Sequence, residues 1–311
     1  MTDHPQTPAT APNPPVLAAI DGSAVSYHAG AWAAVDAALH GCDLHLITSV
    51  SLPVGFGPVP ILGEGDFTWL HADAERMLTE ATRVARAAVP GTALTIRTEV
   101  VTEPIIPVLV ERSRHVRTLV VGSRGLGALR RGLLGSVSTA VTRHAHCPVA
   151  VVHSTSATDS VSVAEPVLVG VDGSDNSVPA LEFAFDEASR RKVGLVALHA
   201  WTDVSAGLDV SITGWDTIRE TEDAVFAEEL AGYSERYPDV PVRRVLVCDR
   251  PVRSLLEESE RAQLLVVGSH GRGGFAGMLL GSTSGALVQS VECPIVVVRR
   301  STENAAGQHN S

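Results

Sequence analysis

Lysine is almost missing from this 311-residue chain, Lys192 being the only one. Cysteine is scarce as well, and four residues are too few for a disulfide framework. Aromatic residues make up only 4%, so any core has to be built from Val, Leu, Ile and Ala. Positive charge is in deficit, with 24 Lys and Arg against 35 Asp and Glu and a formal net charge of -11. That balance excludes a general nucleic-acid binder or a binder of anionic membranes. It leaves room for a local anion site made of backbone N–H groups. No apolar run reaches membrane-spanning length. The opening MTDHPQTPATAPNPP has no apolar centre of the kind a secretion signal carries. Its composition predicts a disordered tail over 1–15, and a second is expected over 299–311. The expectation is a soluble, cytoplasmic protein.

What the chain has in quantity is apolar aliphatic sequence, and it has it twice. Hydrophobic residues reach 45% and mean hydropathy is +0.17; the length suits two domains. PVLAAIDGS (15–23) returns as PVLVGVDGS (166–174), and LHLITSV (44–50) as LVALHAW (195–201), at an offset of 151. LVVGSRG (119–125) returns as LVVGSHG (265–271), and HCPVAVV (146–152) as ECPIVVV (292–298), at an offset of 146. The five-residue loss belongs in a loop. Two homologous domains follow, at 16–153 and 166–298, joined by the Ser/Thr-rich linker 154–165.

Each half alternates strand-like and helix-like segments. In the first half these are VLAAI, a helix over 26–40, LHLITSV, a long amphipathic helix FTWLHADAERMLTEATRVARAAV, ALTIRTEVV, the helix IIPVLVERSR, an apolar strand over 118–122, the helix SVSTAVTRHA, and PVAVVH. Pro107 falls in the first turns of its helix, where the ring is tolerated. Such alternation predicts an α/β fold: two tandem Rossmann-like, flavodoxin-like, doubly wound parallel five-stranded sheets with right-handed connections. In that order the winding reverses between the first and fourth strands, and ligands sit outside the carboxyl ends there. Asp21 follows the first strand and Gly122 the fourth, so both aim at one crevice. The last strand of each half is strongly apolar. An apolar edge invites pairing, either between the halves or between whole chains.

Residues 122–139 read GSRGLGALRRGLLGSVST, and residues 268–285 read GSHGRGGFAGMLLGSTSG. Glycines let backbone N–H groups approach an anion, and the following helix start adds a positive dipole end. Ser136 or Ser138 is placed to cap that helix. Arg124, Arg130 and Arg131 are available to neutralise phosphate. A P-loop is excluded, because its lysine is missing here. The dinucleotide fingerprint fails in the first half at Arg130; the loose match Gly271-x-Gly273-x-x-Ala276 follows the wrong strand.

G-x2-G-x9-G-S after the fourth strand, D-G-S after the first, and HCPV or ECPI before the last together resemble the universal stress protein family. The likeness is to its nucleotide-binding, tandem branch, of HUP-type fold, and it covers both halves. The resemblance implies that Asp21 and Asp172 contact the nucleoside. Gly170 matches the small residue two positions earlier, and Ala19 departs from it. Ser49 and Ala200 would hold adenine through backbone groups, and Asp203 would reach a ribose hydroxyl. Phosphates would rest on Gly122, Ser123, Arg124, Gly125, Leu126, Gly127, Gly135, Ser136, Val137 and Ser138. The second-half equivalents are Gly268, Ser269, His270, Gly271, Arg272, Gly273, Gly274, Gly281, Ser282, Thr283 and Ser284. His270 in place of Arg124 makes the second site less positive at neutral pH.

His144, His146 and Cys147 sit together, but their counterparts Ser290, Glu292 and Cys293 do not repeat the pattern, so no metal site is assigned. Cys147 and Cys293 are expected as small buried fillers. Trp32, Trp69, Trp201 and Trp215 are expected in the core or an interface. The resemblance implies a regulator without catalytic residues that holds ATP, with or without Mg2+, at up to two per chain. It also implies a homodimer, a further protein partner, and a role in stress response or growth arrest. Two other readings remain: a slow ATPase or nucleotidyl-transferring enzyme, and a pure dimerisation scaffold. The enzyme needs a metal and a positioned base or nucleophile, and the glycine segments offer neither lysine nor paired carboxylates.

Overall fold

The computed structural model describes residues 13–50, 64–125, 134–153, 162–201, 215–248, 250–271 and 279–299. In the first half, strands β1 (Val16–Ala19), β2 (Leu44–Ser49), β3 (Ile96–Val101), β4 (Thr118–Gly122) and β5 (Val149–Val152) alternate with helices α1 (Ala24–His40), α2 (Glu64–Ala88), α3 (Ile105–Arg112) and α4 (Ser136–His144). The second half repeats this with β6 (Val167–Val171), β7 (Leu195–Trp201), β8 (Val242–Cys248), β9 (Leu264–Gly268) and β10 (Ile295–Val298). Its helices are α5 (Val178–Arg191), α6 (Trp215–Arg236), α7 (Pro251–Ser259) and α8 (Ser282–Ser290). Central strands such as LVV in β4 and LLVV in β9 are buried on both faces. A strand covered on both sides reads as a continuous apolar run, which explains the absence of alternation there.

The strands form one ten-stranded sheet in the order β3-β2-β1-β4-β5-β10-β9-β6-β7-β8. Within each half all pairings are parallel; β5 and β10 join the halves in antiparallel register. Ala150 faces Val296, its own counterpart at the 146-residue offset, with Val151 opposite Ile295 and Val149 opposite Val297. The seam therefore carries an approximate two-fold axis. Its backbone groups are paired and its apolar side chains are buried, so neither terminal strand remains an exposed edge. The outer strands, β3 and β8, carry Arg97, Glu99, Arg243 and Arg244, charges of the kind that discourage edge-to-edge pairing. Two apolar layers, one on each face of the sheet, run across both halves.

Two further contacts follow the same two-fold relation. His153, just after β5, hydrogen-bonds the Val288 carbonyl in α8 at 3.2 Å. Arg299, just after β10, donates to the Thr142 carbonyl in α4 at 2.8 Å, and to those of Arg143 and Leu279. Each half thus ends by satisfying carbonyls near a helix terminus of the other.

Trp32 is buried. Trp69 is 60% exposed and stands on the solvent side of α2, so a core position is not its place. The side chains of Trp201 and Trp215 lie outside the described residues. Helix α1 ends at Gly41 with φ 59°, and α5 ends at its counterpart Lys192 with φ 57°. A left-handed C-terminal residue suits glycine and strains a side chain. Lys192→Gly should therefore stabilise the chain by about 1 kcal/mol, measurable by urea unfolding. Burial pushes the Cys147 and Cys293 thiols up to about 12, and Cys42 is buried as well, whereas Cys248 is exposed. At pH 8 a thiol reagent should titrate Cys248 in the native chain and all four cysteines after denaturation.

Candidate functional site

The winding of the sheet reverses between β1 and β4 in the first half, and between β6 and β9 in the second. Carboxyl ends of diverging strands leave a crevice at such a point. Into it fold the D-G-S turn and the glycine-segment helix, and they do so in the same way twice.

The turn comes first. Asp21 Oδ1 accepts from the Ser23 amide at 3.0 Å and its hydroxyl at 2.6 Å. Asp172 Oδ1 accepts from the Ser174 amide at 3.0 Å, its hydroxyl at 2.6 Å and the Ser177 hydroxyl at 2.5 Å. One oxygen of each carboxylate thus holds the turn that starts the next helix. The glycines of the turn, Gly22 and Gly173, take φ of 83° and 69°, a region that favours glycine. Asp21 and Asp172 thus have a structural task at the start of the following helix.

The glycine segments have internal tasks too. A Cβ on Gly122 would stand 3.2 Å from the Val25 backbone, and one on Gly268 would stand 2.9 Å from the Asn176 carbonyl. These glycines let β4 and β9 pass the starts of α1 and α5. A Cβ on Gly125 or Gly271 would strike Oδ2 of Asp21 or Asp172. The bare glycine therefore seats the aspartate against the loop. A Cβ on Gly170 would meet Leu255 at 3.1 Å; the first half accommodates Ala19 at that point.

Gly135 and Gly281 then open α4 and α8. Each amide donates at 2.8 Å to the carbonyl of Ser123 or Ser269. No side chain caps either helix, which corrects the expectation that Ser136 or Ser138 does so. The Ser138 hydroxyl instead donates to the Gly122 carbonyl at 2.6 Å, and the Ser284 hydroxyl to that of Gly268 at the same distance. The serines tie the helix start back to the strand, and the helix dipole faces the crevice without a carboxylate cap.

In the second half the crevice is a cavity of about 370 Å3, within the size range of small-ligand sites. Its lining brings together the expected Gly170, Asp172, Ala200, Gly268, His270, Gly271 and Gly281 to Ser284. Ser269 is buried just behind, its hydroxyl 3.0 Å from His270 Nδ1. Leu198, Pro251, Leu255 and Val267 add an apolar wall that the sequence reading missed. In sequence these are indistinguishable from core residues. In the first half Ser49, at the end of β2, donates to the Glu103 carbonyl at 2.7 Å. Ala19, Ser123, Arg124 and Val137 occupy the places equivalent to Gly170, Ser269, His270 and Thr283. Leu126, Gly127, Arg130, Arg131, Asp203, Arg272, Gly273 and Gly274 lie outside the described residues.

The architecture is that of a tandem doubly wound α/β protein with a ligand-sized crevice at a switch point. The universal stress protein family model matches residues 13–153 and again 164–299. The chain therefore belongs to the universal stress protein family. A universal stress protein of Mycobacterium tuberculosis is 45% identical over 291 residues, covering 92% of this chain and 97% of that one. A second from the same organism is 42% identical over 291 residues, covering 92% and 96%. Among solved structures, a universal stress protein from Archaeoglobus fulgidus superposes with a TM-score of 0.66 at 22% identity, over 94% of this chain and 98% of that chain.

Ser138→Ala and Ser284→Ala each remove the strand-to-helix tie and leave a strand-end carbonyl without its donor. Each should lower stability by about 1–3 kcal/mol, read as a shifted urea midpoint with an unchanged slope.

Proposed function

We propose that the chain holds ATP in the switch-point crevice of each half and works as a nucleotide-dependent regulator of stress response or growth arrest. In this reading 16–153 and 166–298 are separate binding domains with one site each. The observation that carries it is the second-half cavity. A helix start without a side-chain cap and an aspartate face each other across a volume suited to a nucleotide portion, with an apolar wall for a base. The two-fold repetition of the same hydrogen bonds supports a second site in the first half.

Holding rather than turnover is favoured by residue type. The sole lysine, Lys192, caps the far end of α5, away from the crevice. Histidine and serine at the cavity have hydrogen-bonding and tying tasks already described. A slow ATPase is the alternative. In the family setting a homodimer is expected too; since β5 and β10 pair with each other, it would use a different surface. No helix among the described residues is long and apolar enough to cross a membrane.

Chain purified from cells, denatured and chromatographed should release close to two ATP per chain. Ala200→Trp puts an indole into the second cavity, and Ser49→Trp does the same in the first half. Each single variant should lower the yield to one and the double variant to none. Two ATP retained by the double variant would refute the site assignment; mainly ADP with steady turnover would establish the enzyme.

A further inference from the structure

Near the ends of α1 and α5 farthest from the crevices, the two-fold axis passes through a buried group of charged side chains. Helix α1 supplies Asp36 and His40, one turn apart, and α5 supplies Glu187 and Arg191 at the same spacing. At the 151-residue offset, Asp36 corresponds to Glu187 and His40 to Arg191. Two arginines would have set two permanent cations against two carboxylates. The histidine leaves the group one permanent cation short and offers a ligand nitrogen in its place.

The hydrogen bonds show where the shortage falls. Asp36 is 0% exposed, and neither of its carboxylate oxygens has a hydrogen-bond partner. The nearest cationic groups are His40 Nδ1 at 3.6 Å and Arg191 Nη2 at 3.7 Å, beyond hydrogen-bond length. Glu187 Oε2 accepts from Arg191 Nε at 2.9 Å, while Oε1 has no hydrogen-bond partner. His40 Nδ1 lies 2.8 Å from the Asp36 carbonyl. A carbonyl only accepts, so Nδ1 carries a proton and Nε2 is the nitrogen turned toward the carboxylates. Nε2 lies 3.2 Å from Glu187 Oε1 and 3.3 Å from Asp186 Oδ2, and since carboxylates only accept, a proton or a metal ion has to stand at that nitrogen. Acceptors facing one another in a buried place need positive charge beside them, supplied by protons or by a bound cation.

We propose that Asp36, His40 and Glu187 bind a divalent first-row transition ion of the Zn2+ class, which clamps α1 to α5 across the axis. One donor atom from each residue lies within 4.8 Å of the others. Tetrahedral donors around zinc stand roughly 3.3 Å apart, so side-chain shifts close the shell. One imidazole and two carboxylates suit zinc or manganese. Asp186 Oδ2 is the nearest further oxygen, on the partly exposed side, and Arg117 holds it at 3.0 Å. Burial, reinforced by Glu187, raises the Asp36 carboxyl to about 7. Burial opposes charge on His40, yet Asp186 and Glu187 outweigh it and raise that group to about 9. Both directions express a demand for positive charge, and metal entry displaces the proton from Nε2. The site is independent of nucleotide binding.

The test uses the full chain in a Cys248→Ser background, stripped with EDTA and dialysed against ZnCl2 at pH 8. Plasma mass spectrometry should find one zinc per chain that Asp36→Asn and His40→Arg lose. Saturating zinc should raise Tm by roughly 5 °C in the parent chain and by nothing in His40→Arg. The arginine restores the two-fold counterpart, so this variant keeps the cation and folds while lacking the ligand. A parent chain that retains no zinc, or a His40→Arg variant that retains as much, overturns the proposal.

Discussion

An apolar strand with unpaired N–H and C=O groups is unstable at the rim of a sheet, and each half of this chain ends in one. β5 and β10 resolve the problem for each other. Their pairing supplies the missing backbone partners and buries Val149, Ala150, Val151, Ile295, Val296 and Val297. Much of the rest of the molecule depends on that seam. It makes one sheet of two, brings α1 against α5 on one face, and lets His153 and Arg299 reach across to α8 and α4. The two switch points lie on either side of it, held by closely corresponding hydrogen bonds.

Those crevices show why glycine motifs are ambiguous before a structure is known. Gly122, Gly125, Gly268 and Gly271 are needed by the protein's own backbone and by the seating of Asp21 and Asp172. The same packing leaves Gly281 and the start of α8 facing a cavity. Backbone packing and an open cavity are here one arrangement, because a tight strand-to-helix crossing also leaves helix N–H groups facing the space beside it.

Much of the architecture was legible in the sequence. The continuous apolar runs over 118–122 and 264–268, and the two offsets of the repeat, sufficed for parallel strands covered on both faces. Asp172 and Gly268 were aimed at one crevice from their positions after the first and fourth strands of the half, and Ala200 by the family resemblance. Leu198, Pro251, Leu255 and Val267 were not, because an apolar residue beside a cavity has the same local pattern as one in the core. The serine cap was misread for a related reason. Ser138 has the right chemistry, but the nearby Gly122 carbonyl captures its hydroxyl, and that carbonyl comes from a strand sixteen residues earlier.

By itself the sequence determined the duplicated α/β units and the absence of a P-loop, since these depend on periodicity, order and residue type; the strand order that puts both motifs at a switch point is a tertiary fact. Tertiary structure alone decided which of the available apolar edges found each other, and in what register. It also decided that Asp36, His40, Glu187 and Arg191 meet, since residues 151 apart come into contact only when the seam has closed and the charges lose their water.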